Sequence, residues 1–184
     1  MEKLRKIKAL DLVIVLVLIL IGITFRFLPH APNFTPIAAI AIFGGVYLNK
    51  KMALFLPLII MAISDIFIGY YEFGLMVFVY GSFLCCVLLG FWLKKHKKWY
   101  TIGGSAILSA LLFFLITNFA VFVLTSWYPK TVYGLVQCYI MALPFFKNTL
   151  LGNLFFTSVF FGAFVTANVL VKKALKIKVV QSIS

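Results

Sequence analysis

The sequence predicts an all-α polytopic membrane protein: one bundle of six transmembrane helices with both termini on the cytoplasmic side. Three observations lead there. The chain of 184 residues is 64% hydrophobic and 11% charged, where a soluble domain carries about 25% charged residues. Its mean hydropathy is +1.13. Its apolar residues fall in long unbroken runs, as in helices that cross about 30 Å of hydrocarbon, not in the period-two alternation of barrel strands.

The first apolar segment covers 10–28, behind the basic stretch "MEKLRKIK". No small-residue cleavage site follows it, so it reads as an uncleaved span. The second, 36–49, is short; Thr35 is placed to cap it and Pro36 suits its first position. The third, fourth and fifth cover 52–70, 75–93 and 101–125, and the sixth covers 149–171. Between the last two lies "SWYPKTVYGLVQCYIMALPFFK", amphipathic and punctuated by Gly134 and Pro144. Residues 131–146 therefore read as an interfacial or re-entrant element. No linker, repeat or low-complexity tract divides the chain, so residues 1–184 form one domain.

Charge sets the expected orientation. Of 17 basic residues, Lys3, Arg5, Lys6 and Lys8 precede the first segment, Lys50 and Lys51 follow the second, and Lys94, Lys95, Lys97 and Lys98 follow the fourth. Lys172, Lys173, Lys176 and Lys178 follow the sixth, which leaves Arg26, Lys130 and Lys147 for the opposite side. This is the positive-inside pattern of a multi-pass protein of the cell's inner (plasma) membrane. The formal net charge of +13 would also suit nucleic acid. Its division into short clusters between apolar runs points to the lipid bilayer as partner and to no nucleic acid. Cys85, Cys86 and Cys138 show no C-x-x-C spacing, which argues against a disulfide framework.

With the orientation set, a rise of 1.5 Å per residue places the rare polar residues. Arg26, Asp65 and Asn118 come out at depths of about 24, 21 and 26 Å from the inner face, and Asn153 about 8 Å below the outer one. Tyr80 falls at a similar depth, and His30, Asn33 and Glu72 lie in the loops just above. Segments running in opposite directions thus all put their polar residues in the outer third. Such residues are costly in a bilayer, face the bundle interior and are functional candidates. The candidate substrate-binding residues are Arg26, His30, Asn33, Asp65, Tyr80, Asn118 and Asn153.

Plainer readings stand beside each. Asp65 and Arg26 can form an ion pair that locks two helices. Asn118 and Asn153 can serve as interhelical hydrogen bonds, and His30 and Asn33 can support their own loop. Glu72 reads as a solvated loop carboxylate. Trp127, Tyr128, Tyr133 and Tyr139 read as an aromatic belt. Ala106 with Ala110, and Ala163 with Ala167, have the spacing of close helix packing or of a docking face. The only other histidine, His96, sits in a lysine loop, so no paired-histidine metal site is expected. Phosphate-loop and hydrolase motifs are missing from the sequence. No cofactor and no enzymatic activity are expected; Cys138, His30 and Asp65 are the only set an intramembrane enzyme could draw on.

Four stretches, "RFLPHAPNFTPIAAIAIFGG", "PLIIMAISDIFIGY", "FFLITNFAVF" and "YGLVQCYIMALPFFKNTLLGN", together resemble an uncharacterised bacterial membrane family, described as transport proteins by distant similarity to the substrate-binding S-components of energy-coupling factor (ECF) transporters. The likeness runs from about residue 22 to 170. It implies a six-helix protein that binds a vitamin or similar micronutrient near the outer face. It also implies docking on an ECF coupling protein driven by two ATPases. One departure is visible: the first segment, "ALDLVIVLVLILIG", lacks the A-x-x-x-A pair that S-components of the shared-module type often carry on their first helix. The expected function is small-molecule uptake through an outward-facing pocket. The alternative is a structural or assembly subunit of a membrane complex that binds no ligand.

Overall fold

The computed structural model describes the backbone of residues 2–181 and the side chains of residues 12–170. The basic clusters at 3–8 and 172–178 lie outside the described side chains. Six helices form among the described residues: α1 (Glu2–Phe27), α2 (Ile37–Tyr47), α3 (Lys50–Ile68), α4 (Phe73–Lys95), α5 (Trp99–Leu124) and α6 (Val132–Gln181). Of these, α3, α4, α5 and α6 are long and apolar enough to cross a membrane. With this composition, they mark the chain as a membrane protein.

α2 is the axis of the bundle. Its sequence, "IAAIAIFGGVY", is apolar all round, as a helix enclosed on every side must be. Every residue from Ile37 to Val46 is buried, and α2 touches all five other helices. Its tightest crossing is with α4, where two glycines meet. A methyl group on Gly45 would stand 2.6 Å from the Val87 carbonyl oxygen and 2.8 Å from the Gly90 Cα. One on Gly90 would strike the Ile42 carbonyl. Small residues here let the two backbones approach closely. On its other side α2 meets α6 through aromatic rings: Phe43 packs edge-on to Phe161 at 5.4 Å, and Tyr47 lies 4.0 Å from Phe164.

The turns follow local chemistry. Asn49 accepts a hydrogen bond from the Met52 amide at 2.9 Å and caps α3. Gly69 ends α3 at φ 108°, a conformation that favours glycine. Thr35 does not cap α2 as expected. Pro36 precedes the first helical residue, and no side chain bonds to the helix start.

The interfacial or re-entrant element over 131–146 is replaced by a continuous helix, α6, which runs through Pro144 from Val132 to Gln181. Gly134 belongs to its first turn, where a methyl group would collide with the Pro129 carbonyl. Pro144 forgoes one backbone hydrogen bond, but the helix on both sides of it is held against α5. Tyr139 donates to the Leu115 carbonyl at 2.8 Å, and the Phe146 ring lies 4.9 Å from Phe114. The two alanine pairs also separate. Ala106 and Ala110 are fully buried, whereas Ala163 and Ala167 face outward.

The connections alternate between two ends of the bundle. One carries Lys50, Lys51, Lys94, Lys95, Lys97 and Lys98; the other carries residues 28–36, 69–72 and 125–131. We call these the lysine end and the cleft end. The glycine crossing gives a direct test. Gly90→Ala is expected to lower stability in detergent unfolding by about 1–3 kcal/mol through overpacking. Gly103→Ala, where nothing lies within 4 Å, should be neutral or stabilising, by up to about 1 kcal/mol.

Candidate functional site

At the cleft end, α1, α3 and α4 are joined by one carboxylate. Arg26 on α1 donates from Nη2 to Asp65 Oδ1 at 2.6 Å, and Tyr80 on α4 donates to Asp65 Oδ2 at 2.6 Å. The Arg26 Nη1 also contacts the Met61 sulfur. Asp65 is fully enclosed, and the Arg26 side chain is 16% exposed. The carboxylate thus has both oxygens occupied, and Arg26 keeps a face free.

That face looks into a cavity of about 360 Å³, also lined by His30, Asn33, Thr35, Ile37 and Tyr71. A second cavity, of about 230 Å³, is lined by Asn33, Phe113, Thr117, Asn118 and Thr149. A recess of about 30 Å³ lies where Asn33, Thr35, Ala38, Thr149 and Asn153 meet. Asn33 and Phe113 border all three, which makes one branched cleft. Asn33 can stand at this junction because it adopts φ 66°, a left-handed turn that asparagine tolerates. The neighbouring Phe34 amide bonds back to the Ala31 carbonyl at 3.0 Å.

The structure therefore places Arg26, His30, Asn33, Asn118 and Asn153 on the cleft wall. Asp65 and Tyr80 stand behind that wall and fix the position of Arg26. Asn118 spends its amide nitrogen on the Phe114 carbonyl at 2.8 Å, and Asn153 bonds to Ser109 at 2.8 Å. His30 is exposed, with Nδ1 2.6 Å from the Leu28 carbonyl. Glu72 takes no part in the cleft lining; it precedes α4 and offers its carbonyl to the Met76 amide. Trp127 and Tyr133 are exposed beyond the cleft, whereas Tyr139 is tied to α5.

Several lining residues are not among the sequence candidates: Thr35, Tyr71, Phe83, Phe113 and Thr149. Thr149 had a signal, since it lies four residues before Asn153 on the same helical face. Tyr71, in the α3–α4 loop, is pushed up to about 12, mainly by burial and next by the Asp65 charge, with Arg26 opposing. It presents a neutral hydroxyl to the cleft at any ordinary pH. Among the described residues no three His, Cys, Asp or Glu side chains gather as metal ligands. A groove of about 740 Å³ at the lysine end is lined by Lys50, Trp92, Lys94 and Lys95, remote from these polar groups.

The fold and the cleft define a class: a helical membrane bundle with a branched, mostly apolar cleft at one end, carrying a few placed polar groups. The chain belongs to the family of unknown function DUF6580, which matches residues 6–175. No curated protein and no solved structure matches it.

The three-helix link predicts a stability pattern. Asp65→Asn should cost about 2–4 kcal/mol by leaving the part-buried Arg26 charge without its carboxylate. Tyr80→Phe should cost about 1–3 kcal/mol by leaving one carboxylate oxygen without its donor. In a double-mutant cycle with Arg26→Met, the Asp65→Leu change should be far less harmful than in the parent. Additive losses would show that the two side chains do not act as a pair.

Proposed function

We propose that the cleft captures a small polar molecule and that the chain serves as the substrate-binding membrane component of an uptake system, a binding protein and not an enzyme. The observation that carries this reading is the convergence of three cavities on Asn33 and Phe113. Ligand sites are concave, mostly apolar and furnished with a few polar groups that fix orientation. Here Phe83 and Phe113 supply apolar walls, and Arg26, Asn33, Asn118 and Asn153 supply the polar contacts.

In this reading the chain crosses the membrane six times; α2 covers only part of the hydrocarbon, and the chain from Leu28 to Pro36 completes its crossing. The positive-inside rule puts the lysine end in the cytoplasm and opens the cleft outward. The likeness to ECF S-components supports a vitamin-sized ligand and a coupling protein with ATPases as partners. The outward-facing Ala163 and Ala167 on α6 offer such a partner a close approach. The same exposed face, together with the complete burial of Asp65, also favours the second reading, a structural subunit in which the ion pair only locks helices.

Native mass spectrometry of protein released from mild detergent separates the two. Uptake predicts retained small molecules. It further predicts that Asn33→Gly, which keeps the left-handed turn, or Asn118→Ala weakens their binding about five- to tenfold, as expected for one lost hydrogen bond, with unfolding little changed. An empty protein that gains no thermal stability from a panel of vitamins would support the structural reading instead.

A further inference from the structure

The start of α2 is chemically unfinished. The first helical hydrogen bond runs from the Ile40 amide to the Pro36 carbonyl at 2.8 Å. The amides of Ile37, Ala38 and Ala39 have no acceptor among the described residues. An exposed helix end meets this need with water. This one can do so only from within the cleft, because Ile37, Ala38 and Ala39 are 1%, 3% and 0% exposed. Ile37 lines the cavity of about 360 Å³ and Ala38 the recess beside it, so this end opens on the cleft. The helix dipole adds about half a positive charge there. Arg26 lines the same cavity with the free part of its guanidinium.

A second, independent observation points to an occupant. Asn153, 2% exposed, comes from α6 and lines the recess with Ala38 and Thr35. Its Nδ2 donates to Ser109, while its Oδ1 has no partner among the described residues. The recess thus presents a free acceptor on its wall, next to helix-start donors that want an acceptor.

We infer that the cleft takes a monoanionic carboxylate that also carries an N–H or O–H group. The carboxylate sits at the α2 start beside Arg26, and its donor reaches Asn153 Oδ1. The choice of one negative charge follows from the charge inventory. Asp65 already neutralises Arg26, and no carboxylate lines the three cavities. What remains is the positive end of one helix, the free edge of a paired guanidinium and the exposed His30 imidazole at the rim. That matches one negative charge better than the nearly double charge of a phosphate monoester. This inference rests on the reading of the cleft as a ligand site and names the ligand's chemistry.

Acetate is the minimal probe, with isosteric acetamide as the neutral control. The full-length protein, labelled with ¹⁵N in alanine and isoleucine, is titrated in micelles to high millimolar concentration of each. Acetate should move the Ile37, Ala38 and Ala39 amide resonances saturably, at least tenfold more tightly than acetamide. Thr35→Asp supplies a carboxylate within the chain at the helix start. It should raise the thermal midpoint of the empty protein and abolish the acetate response. Glycolate, which adds a hydroxyl donor, should bind more tightly than acetate, and Asn153→Ala should erase that difference. Acetate shifts that are absent, or equalled by acetamide, overturn the inference. So does an acetate response that survives Thr35→Asp. If acetamide and other neutral probes saturate the cleft while acetate does not, the cleft remains a ligand site and only the carboxylate assignment fails. If no probe shifts any cleft resonance, the ligand-site reading falls with it.

Discussion

An apolar helix of 11 residues, enclosed by five others, is about 16 Å long. The hydrocarbon core of a bilayer is about 30 Å thick. The axis of this bundle is therefore too short for the helices around it, and much of the architecture follows from that mismatch. Close contact at Gly45 and Gly90 fixes α2 against α4, and the Phe43 and Tyr47 rings fix it against α6. Both anchors lie toward its C-terminal, lysine end. Above its N-terminus, α4, α5 and α6 continue and leave a space that the chain from Leu28 to Pro36 only partly fills. The cleft is this residual space. Its polar lining is concentrated at one end because the other end is occupied by α2.

Tying α1 to the bundle at that open end requires a different device. Elsewhere neighbouring helices meet through small residues, aromatic rings and neutral hydrogen bonds such as Asn153 to Ser109. Near the cleft, Asp65 receives a guanidinium from α1 and a phenol from α4. Such an arrangement is a poor source of net stability compared with well-packed apolar residues. What it supplies is position: Arg26 is held at the cavity wall with part of its surface uncommitted. One interaction can therefore be both the lock between helices and one wall of the site.

The apolar segments were legible in the sequence because strong local punctuation bounds them: Asn49 before α3, Gly69 after it, and the lysine cluster between α4 and α5. The gathering of Arg26, Asp65 and Tyr80 was legible as a shared depth, since helical rise converts position in sequence to height. Which of them would face the cavity was not, because that depends on rotation about each helix axis. The continuity of α6 was hidden for another reason. Gly134 and Pro144 are local breaking signals, and only contacts with Leu115 and Phe114 on α5 show why the helix persists through them. The uncapped start of α2 was hidden as well. Thr35 has the right chemistry and the right place for a cap, yet it turns no bond to the helix. Nothing local reveals that the three free amides behind it are buried.

The central claim is that the space above α2 is a water-accessible cleft open to one side of the membrane only. Cysteine accessibility tests it most directly. In intact cells, in a background with Cys85, Cys86 and Cys138 replaced, single cysteines are placed at Asn33, Asn118 and Lys95 and exposed to a membrane-impermeant thiol reagent. The account predicts modification at 33 and 118 from outside, and at 95 only after the membrane is opened. Modification at 95 from outside, or no modification at 33 and 118 under either condition, would contradict it.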